Sequence, residues 1–189
     1  MKKIKIATLL LATFLFSNLF AQTDEQIISE LQYDLFGFQQ DTVFIEANIY
    51  KTFFDYDSVH FESITGLKIP KAIISDWKNG TEKDNYLSFW DEKRLNHIDS
   101  LFFDNDTLIP KVHIFKCLSE NEVTKRFEIT RQRQSIYSIS KILFDNSGEN
   151  AIFHFMTIPW PGDFSSETIL IKKIFGKWII VMRFDFALT

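Results

Sequence analysis

A single cysteine, Cys117, stands in the chain, so no intrachain disulfide can form and stability must come from apolar burial. Glycine and proline are scarce, six and four among 189 residues, and every glycine falls at expected punctuation. Gly37 and Gly80 follow predicted helices, Gly66 lies between elements, Gly148 and Gly176 fall in hairpins, and Gly162 in a long loop. None is left to build a phosphate cradle, and no Walker or dinucleotide fingerprint occurs. A Gly-x-Ser-x-Gly elbow and a His-Glu-x-x-His zinc site are absent as well. These absences remove the common nucleotide, acyl-transfer and zinc chemistries, and no cofactor is expected.

What is present begins with a leader. Met1-Lys2-Lys3-Ile4-Lys5 is basic, Ile6 to Phe20 is apolar, and Ala21-Gln22 follows, the three-part form of a secretory signal peptide cut after Ala21. The apolar run is short for a membrane span, and the polar stretch from Gln22 to Gln26 follows at once. The expectation is therefore a signal peptide at 1–21, a single domain at 22–189, no transmembrane span in the mature chain, and a periplasmic or secreted destination. Lys2, Lys3 and Lys5 are the only charged residues of the leader, so removing it takes the formal charge from −4 to −7. An acidic chain is a poor match for nucleic acid. The one basic cluster, Lys125, Arg126, Arg131 and Arg133, is interrupted by Glu128 and reads as the solvated side of a strand.

The periodicity predicts an α+β domain: an antiparallel sheet ending in a four-stranded meander, with one to three helices in the N-terminal half. Thr23-Asp24-Glu25-Gln26 has the form of a capping box, and Ile27, Leu31 and Leu35 recur at helical spacing up to Gly37. A second helix starts at Pro70, sets Ile69, Ile73 and Trp77 on one face and stops at Gly80. Thr42 to Tyr50 suits a strand and also allows a helix, while Ser58 to Ile64, Lys111 to Leu118 and Val123 to Thr130 read as strands. At the C-terminal end, Ser140–Phe144 pairs with Asn150–Ile158 around Gly148. Thr168 to Phe186 then folds about a Gly176-Lys177 type II′ turn, which places Phe175, Trp178, Ile171, Ile180, Ile169, Met182 and Phe184 on one face.

Ser140-Lys141-Ile142-Leu143-Phe144, Ala151 in the next strand and Gly176-Lys177-Trp178 together resemble a pattern in small exported Bacteroidota proteins of unknown function. The resemblance covers the last third of the chain. Members of that group tend to carry Pro where Ile142 stands, and often a cysteine pair in the loop where this chain has Pro159 to Phe164. The resemblance implies an exported α+β domain and brings no catalytic residues.

Candidate sites are few. Cys117 and His113 share a strand face about 13 Å apart, by the strand rise per residue, too far for a nucleophile and base, so Cys117 reads as a buried thiol. His60, His97 and His154 are isolated in sequence and read as structural. The acidic pairs Asp55/Asp57 and Asp104/Asp106 lack the twelfth-position Glu of a calcium loop and read as turns. Asp-Ser/Thr-apolar occurs four times and marks Thr42, Ser58, Ser100 and Thr107 as possible O-glycosylation acceptors, a pattern that strand-entry turns also produce. The loop Pro159–Glu167 offers a binding surface: Trp160 stands between two prolines, Phe164 adds apolar area, and Asp163 beside Gly162 can aim one polar contact. Two functions remain. One is a non-catalytic envelope module that binds a protein, glycan or small ligand. The other is an envelope hydrolase whose site assembles only in the fold, as in cystatin-like or nuclear-transport-factor-2-like cones.

Overall fold

A computed structural model describes residues 22–37, 42–83, 88–96 and 113–188, with Glu82, Lys83 and Trp160 by backbone alone. The first described segment follows the sequence closely. Thr23 Oγ1 accepts from Gln26 N and Gln26 Oε1 from Thr23 N, a complete capping box that starts α1 (Asp24–Glu30). A break at Leu31 separates it from α2 (Gln32–Phe36), which ends at Gly37 with φ of 73°. Ile27, Ile28, Leu31 and Leu35 are buried along one side.

Strand β1 (Thr42–Glu46) buries Val43 and Ile45 at the two-residue period, and β2 (Asn48–Ile49) pairs with the short β3 (Ser88–Phe89). The segment after Asp57 departs from the strand expectation. It is α3 (Ser58–Thr65), because Asp57 Oδ1 accepts from the amides of Val59 and His60 while Gly66 supplies the left-handed stop. The apparent alternation was incidental: only Phe61 and Thr65, four residues apart, are buried, and Val59 is 76% exposed. Helix α4 (Lys71–Lys83) begins after Pro70 as expected but runs through Gly80. Gly80 is a contact residue rather than a stop, since a Cβ there would lie 3.3 Å from Leu143 Cδ2. A short α5 (Glu92–Leu95) precedes β4 (Ile114–Leu118).

The stretch from Val123 to Thr130 is likewise a helix and not a strand. Ser119 and Glu122 form a capping box that nucleates α6 (Glu120–Thr130), and Arg131 closes it in the left-handed conformation at φ 55°. The basic cluster therefore lies on α6 and just beyond it. Next come β5 (Gln134–Ile139), which the sequence reading did not resolve, and β6, which keeps only Leu143–Phe144 of the expected Ser140–Phe144 strand. Strands β7 (Asn150–Trp160), β8 (Ser165–Ile174) and β9 (Lys177–Leu188) complete the chain. The β6–β7 connection is built on Asp145, which accepts from Glu149 N, Asn150 N, Asn150 Nδ2 and Ser147 Oγ. Burial works against its charge, but these donors outweigh burial and hold the carboxyl below its usual range.

The fold is α+β, with six helices among the described residues and a mixed, mostly antiparallel sheet. Strand order is β4-β1-β5-β7-β8-β9, with β6 also on β7. The expected meander is present as β6 to β9. The sheet is not wholly antiparallel, because β1 runs parallel to both β4 and β5. Five helices, not one to three, precede β4: the first expected helix breaks in two at Leu31, Ser58–Thr65 is a helix rather than a strand, and α5 adds one short capped turn.

The last hairpin turns one residue earlier than expected. Phe175 and Gly176 both take positive φ, 51° and 82°, a type I′ arrangement that pairs Ile174 with Lys177 and Lys173 with Trp178. Phe175 is thus fully exposed at the tip, not inward. An extra residue, Val181, bulges from β9 between the pairs Ile171–Ile180 and Leu170–Met182. The seven residues expected on one face are divided by it. Trp178 and Ile180 join Ile169 and Ile171 in the core under α1 and α2, whereas Met182 and Phe184 join Leu170, Phe61 and Trp77 in a second core under α3 and α4. Two helical layers therefore sandwich the meander.

Candidate functional site

Among the described residues, the second face of the sheet is covered at two places. Helices α3 and α4 cover it at Ile152, Leu170 and Phe184, and α6 covers it near β1 and β5, where the Arg126 guanidinium lies 4.0 Å from the centre of the Phe44 ring. Between these covers the face stays open as a cleft of about 380 Å³. Its floor is a polar grid: Ser138 and Ser140 beside Met156 and His154, and those beside Ser166 and Thr168. Tyr50 and Lys51 stand at one margin, held by the parallel bridge of Tyr50 to Ser140, and Glu167, Asp185 and Ala187 line the other.

His154 is fixed from both sides. Its Nε2 lies 2.8 Å from Phe53 O, which can only accept, so Nε2 carries the proton and Nδ1, 2.9 Å from Thr168 Oγ1, accepts from that hydroxyl. The His154 amide also donates to Ser140 Oγ at 2.7 Å, and Ser140 Oγ is 2.6 Å from Thr52 Oγ1. Neither ring nitrogen is left to bind a metal or shuttle a proton without breaking this network. Asp185 Oδ2 accepts from Tyr56 OH at 2.5 Å. Burial, with the hydrogen bond and charge of Asp185, pushes Tyr56 up to about 12. Tyr50 donates to Glu46 and is likewise pushed up to about 12, first by burial and then by Glu46. Both phenols are therefore neutral donors at physiological pH. Glu167 pairs with Arg183, whose other nitrogen donates to Asp34 O.

The chain contains two Ser-x-x-Lys spacings: Ser138 and Lys141 are an odd separation apart and fall on opposite faces of an extended segment, while Lys78, which shares α4 with Ser75, is paired with Asp55 at 3.1 Å. No nucleophile pair results. Cys117 is half-buried in β4; burial, then the charges of Glu92, Asp91 and Glu25, pushes its thiol up to about 12, and His113 Nε2 instead meets Gly37 O at 2.8 Å. Asp57 is a helix cap and Asp55 pairs with Lys78 at 3.1 Å. His60 is exposed beside Tyr56. His97, Asp104 and Asp106 lie outside the described residues.

The expected binding loop is shorter than its sequence suggested, because β7 extends through Trp160 and β8 starts at Ser165. The connection is Pro161–Phe164, with Asp163 exposed and Phe164 half-buried, and Trp160 pairs with Gln134 as the last residue of its strand. The loop lies just past the Thr157–Ser165 pair and does not line the cleft. Thr42 opens β1 and Ser58 opens α3, both half-buried; Ser100 and Thr107 lie outside the described residues, as does Ala21. The cleft was missed by sequence reasoning. Its signal was polar residues on one face of otherwise apolar strands: Ser138 and Ser140, His154, and Ser166 and Thr168.

The chain matches no family model, no curated protein and no solved structure.

Proposed function

We propose that the protein is an exported, non-catalytic binding module of the cell envelope and that the open cleft takes a small polar ligand or a glycan. The carrying observation is the floor of the cleft, where Ser140 and Thr168 hold a histidine with both nitrogens engaged while half-buried Ser166 and exposed Tyr50 line the opening. The Ser166 hydroxyl and the neutral Tyr50 phenol beside the apolar surface of Met156 and Ala187 suit a ligand that mixes C–H faces with hydroxyls. The experiment is recovery of the native protein from the envelope and mass analysis of what it retains, in parallel with Ala187→Trp. Ala187 is exposed and lines the cleft, so the indole fills the site without entering a core. A molecule retained by the parent and lost from the variant supports the module. No retained molecule, or equal retention, sinks it.

Export with cleavage after Ala21 belongs to the same reading. Gln22, the first residue of the chain so cleaved, is held by its side chain to Trp178 and Lys173. Intact mass of the envelope form tests this, and a mass excess over a chain made in a host lacking O-glycosylation would place sugars on sites such as Thr42, Ser58, Ser100 and Thr107. Trp160, Asp163 and Phe164 remain a second contact surface for a protein partner, beyond the end of the cleft.

The hydrolase alternative has one observation in its favour. Thr168 Oγ1, His154 and Phe53 O stand in the order of nucleophile, base and orienting acceptor. Thr168 is only 1% exposed, however, so its oxygen is shielded from a substrate in the cleft.

A further inference from the structure

The two margins of the cleft carry opposite charge. Exposed Lys51 lines one margin and has no ion-pair partner among the described residues. Exposed Asp185 lines the other. Glu167 does not alter this balance, because Arg183 pairs with it. Asp185 reaches the cleft only through an irregularity of β9. Alternation along a strand sends neighbouring side chains to opposite faces, yet Phe184 enters the second core while Asp185 and Ala187 line the cleft on that same face. The register accounts for this: Thr168 pairs with Phe184 and Ser166 with Ala187, so Asp185 and Phe186 together stand opposite Glu167 alone. Asp185 takes φ of 58° there, a left-handed conformation that Asn and Asp tolerate best among residues with a side chain. Its Oδ2 is then held by Tyr56 OH at 2.5 Å, and the Tyr56 ring packs on Phe54 and Phe184. A phenol pushed up to about 12 donates without cancelling the charge of the carboxylate, and Oδ1 is left for a further donor.

The spacing of the charges sets the length of what they hold. From the Tyr50–Lys51 segment the sheet runs through β5, β7 and β8 to β9, four steps in all. At about 4.8 Å per step the two backbones are about 19 Å apart, less the inward reach of a lysine and an aspartate. A free amino acid is too short to touch both margins, whereas three residues at about 3.5 Å each span the gap. We propose that the cleft takes a short peptide with both ends free, its ammonium on Asp185 and its carboxylate on Lys51; this rests on the cleft being the ligand site. The half-buried Ser166 hydroxyl lies between the two ends, where the backbone of the peptide passes, and Met156 and Ala187 supply apolar surface for its side chains. A singly charged ligand leaves one margin unpaired, and a neutral sugar leaves both.

The test titrates trialanine into the purified protein at neutral pH and follows binding by nuclear magnetic resonance shifts. Saturable binding is expected. N-acetylation of the peptide and Asp185→Asn should each weaken it about fivefold, the upper end for an exposed ion pair, and the acetylated peptide should no longer distinguish parent from variant. Amidation of the carboxyl end and Lys51→Met should behave as the matching pair. Asn keeps the left-handed turn and an acceptor for Tyr56, and Lys51 is exposed, so both variants fold. No saturable binding of trialanine overturns the proposal, as does an affinity indifferent to acetylation or to Asp185→Asn. Maltotriose and Ala187→Trp separate this outcome from failure of the cleft itself. Binding of the neutral trisaccharide, lost in Ala187→Trp, overturns the peptide and leaves the cleft as the ligand site. Trialanine binding that Ala187→Trp leaves unchanged places the peptide elsewhere and overturns the proposal.

Discussion

Gly80 shows how a residue type can be read correctly as special and wrongly as to why. Glycine after a helical run signals a stop, and Asn79-Gly80 looked like one. The actual reason is distance: α4 passes so close to β6 that a side chain at 80 would press on buried Leu143. Helix propensity alone would favour replacing a mid-helix glycine, by about 1 kcal/mol for alanine. A branched side chain has no such latitude here. Gly80→Val should destabilise the protein by about 1–3 kcal/mol, the usual cost of overpacking, read as a lower urea midpoint at unchanged slope. A midpoint equal to the parent's would mean that the helix and β6 can separate freely. His154 teaches the complementary point. An isolated histidine was read as structural, and both its nitrogens are indeed occupied, yet it also forms part of the floor of a polar cleft.

Among elements, the parts legible in sequence were those where capping, turn residues and period agreed: α1 with its Thr23 box, β1, β4, and the order of strands through the meander. The misread ones share a cause. Ser58–Thr65 and Val123–Thr130 carry alternating apolar residues over a short span, and at that length two periods cannot be told apart. Their caps decide, and Asp57 with Gly66, and Ser119 with Glu122, were the better evidence. The final turn failed for another reason. Gly176 allows either a Gly-first II′ turn or a I′ turn with Phe175 before it, and the pairing partners on β8 choose the latter at the expense of a left-handed Phe175. That conformation costs a non-glycine residue about 1–2 kcal/mol. Phe175 is fully exposed and loses no packing on replacement. Phe175→Asn, the residue this turn prefers, should therefore raise stability by about 1 kcal/mol, seen as a higher thermal midpoint. A loss of stability would restore the expected inward Phe175.

For the whole molecule, fold class was readable and the arrangement of layers was not. Apolar patterning tells how many residues are buried but not which of two sheet faces receives them, because β7 and β8 carry apolar residues on both. Phe153 lies under α1 and α2, and Phe61 of α3 lies under the opposite face, so the two cores share nothing but the sheet between them. The sheet is enough to join them, since every strand of the meander contributes to both sides. Phe153→Ala and Phe61→Ala should each cost about 3–5 kcal/mol, and each should leave one transition on which far-ultraviolet ellipticity and tryptophan fluorescence coincide. Two separated transitions in either variant would show that the layers fold independently.

That joining depends on Val181. The bulge adds one to the residue count of β9, and the count sets which way everything after it points. Without that residue Met182 and Phe184 would turn toward α1, and Arg183, which now reaches Asp34 at the carbonyl, would be driven against Phe61 and Trp77. Val181 is 42% exposed and makes little use of its own side chain. Position 181 is thus specified by arithmetic rather than chemistry: in a mutational library nearly any residue should serve there, while loss of the residue should be among the least tolerated changes in the chain.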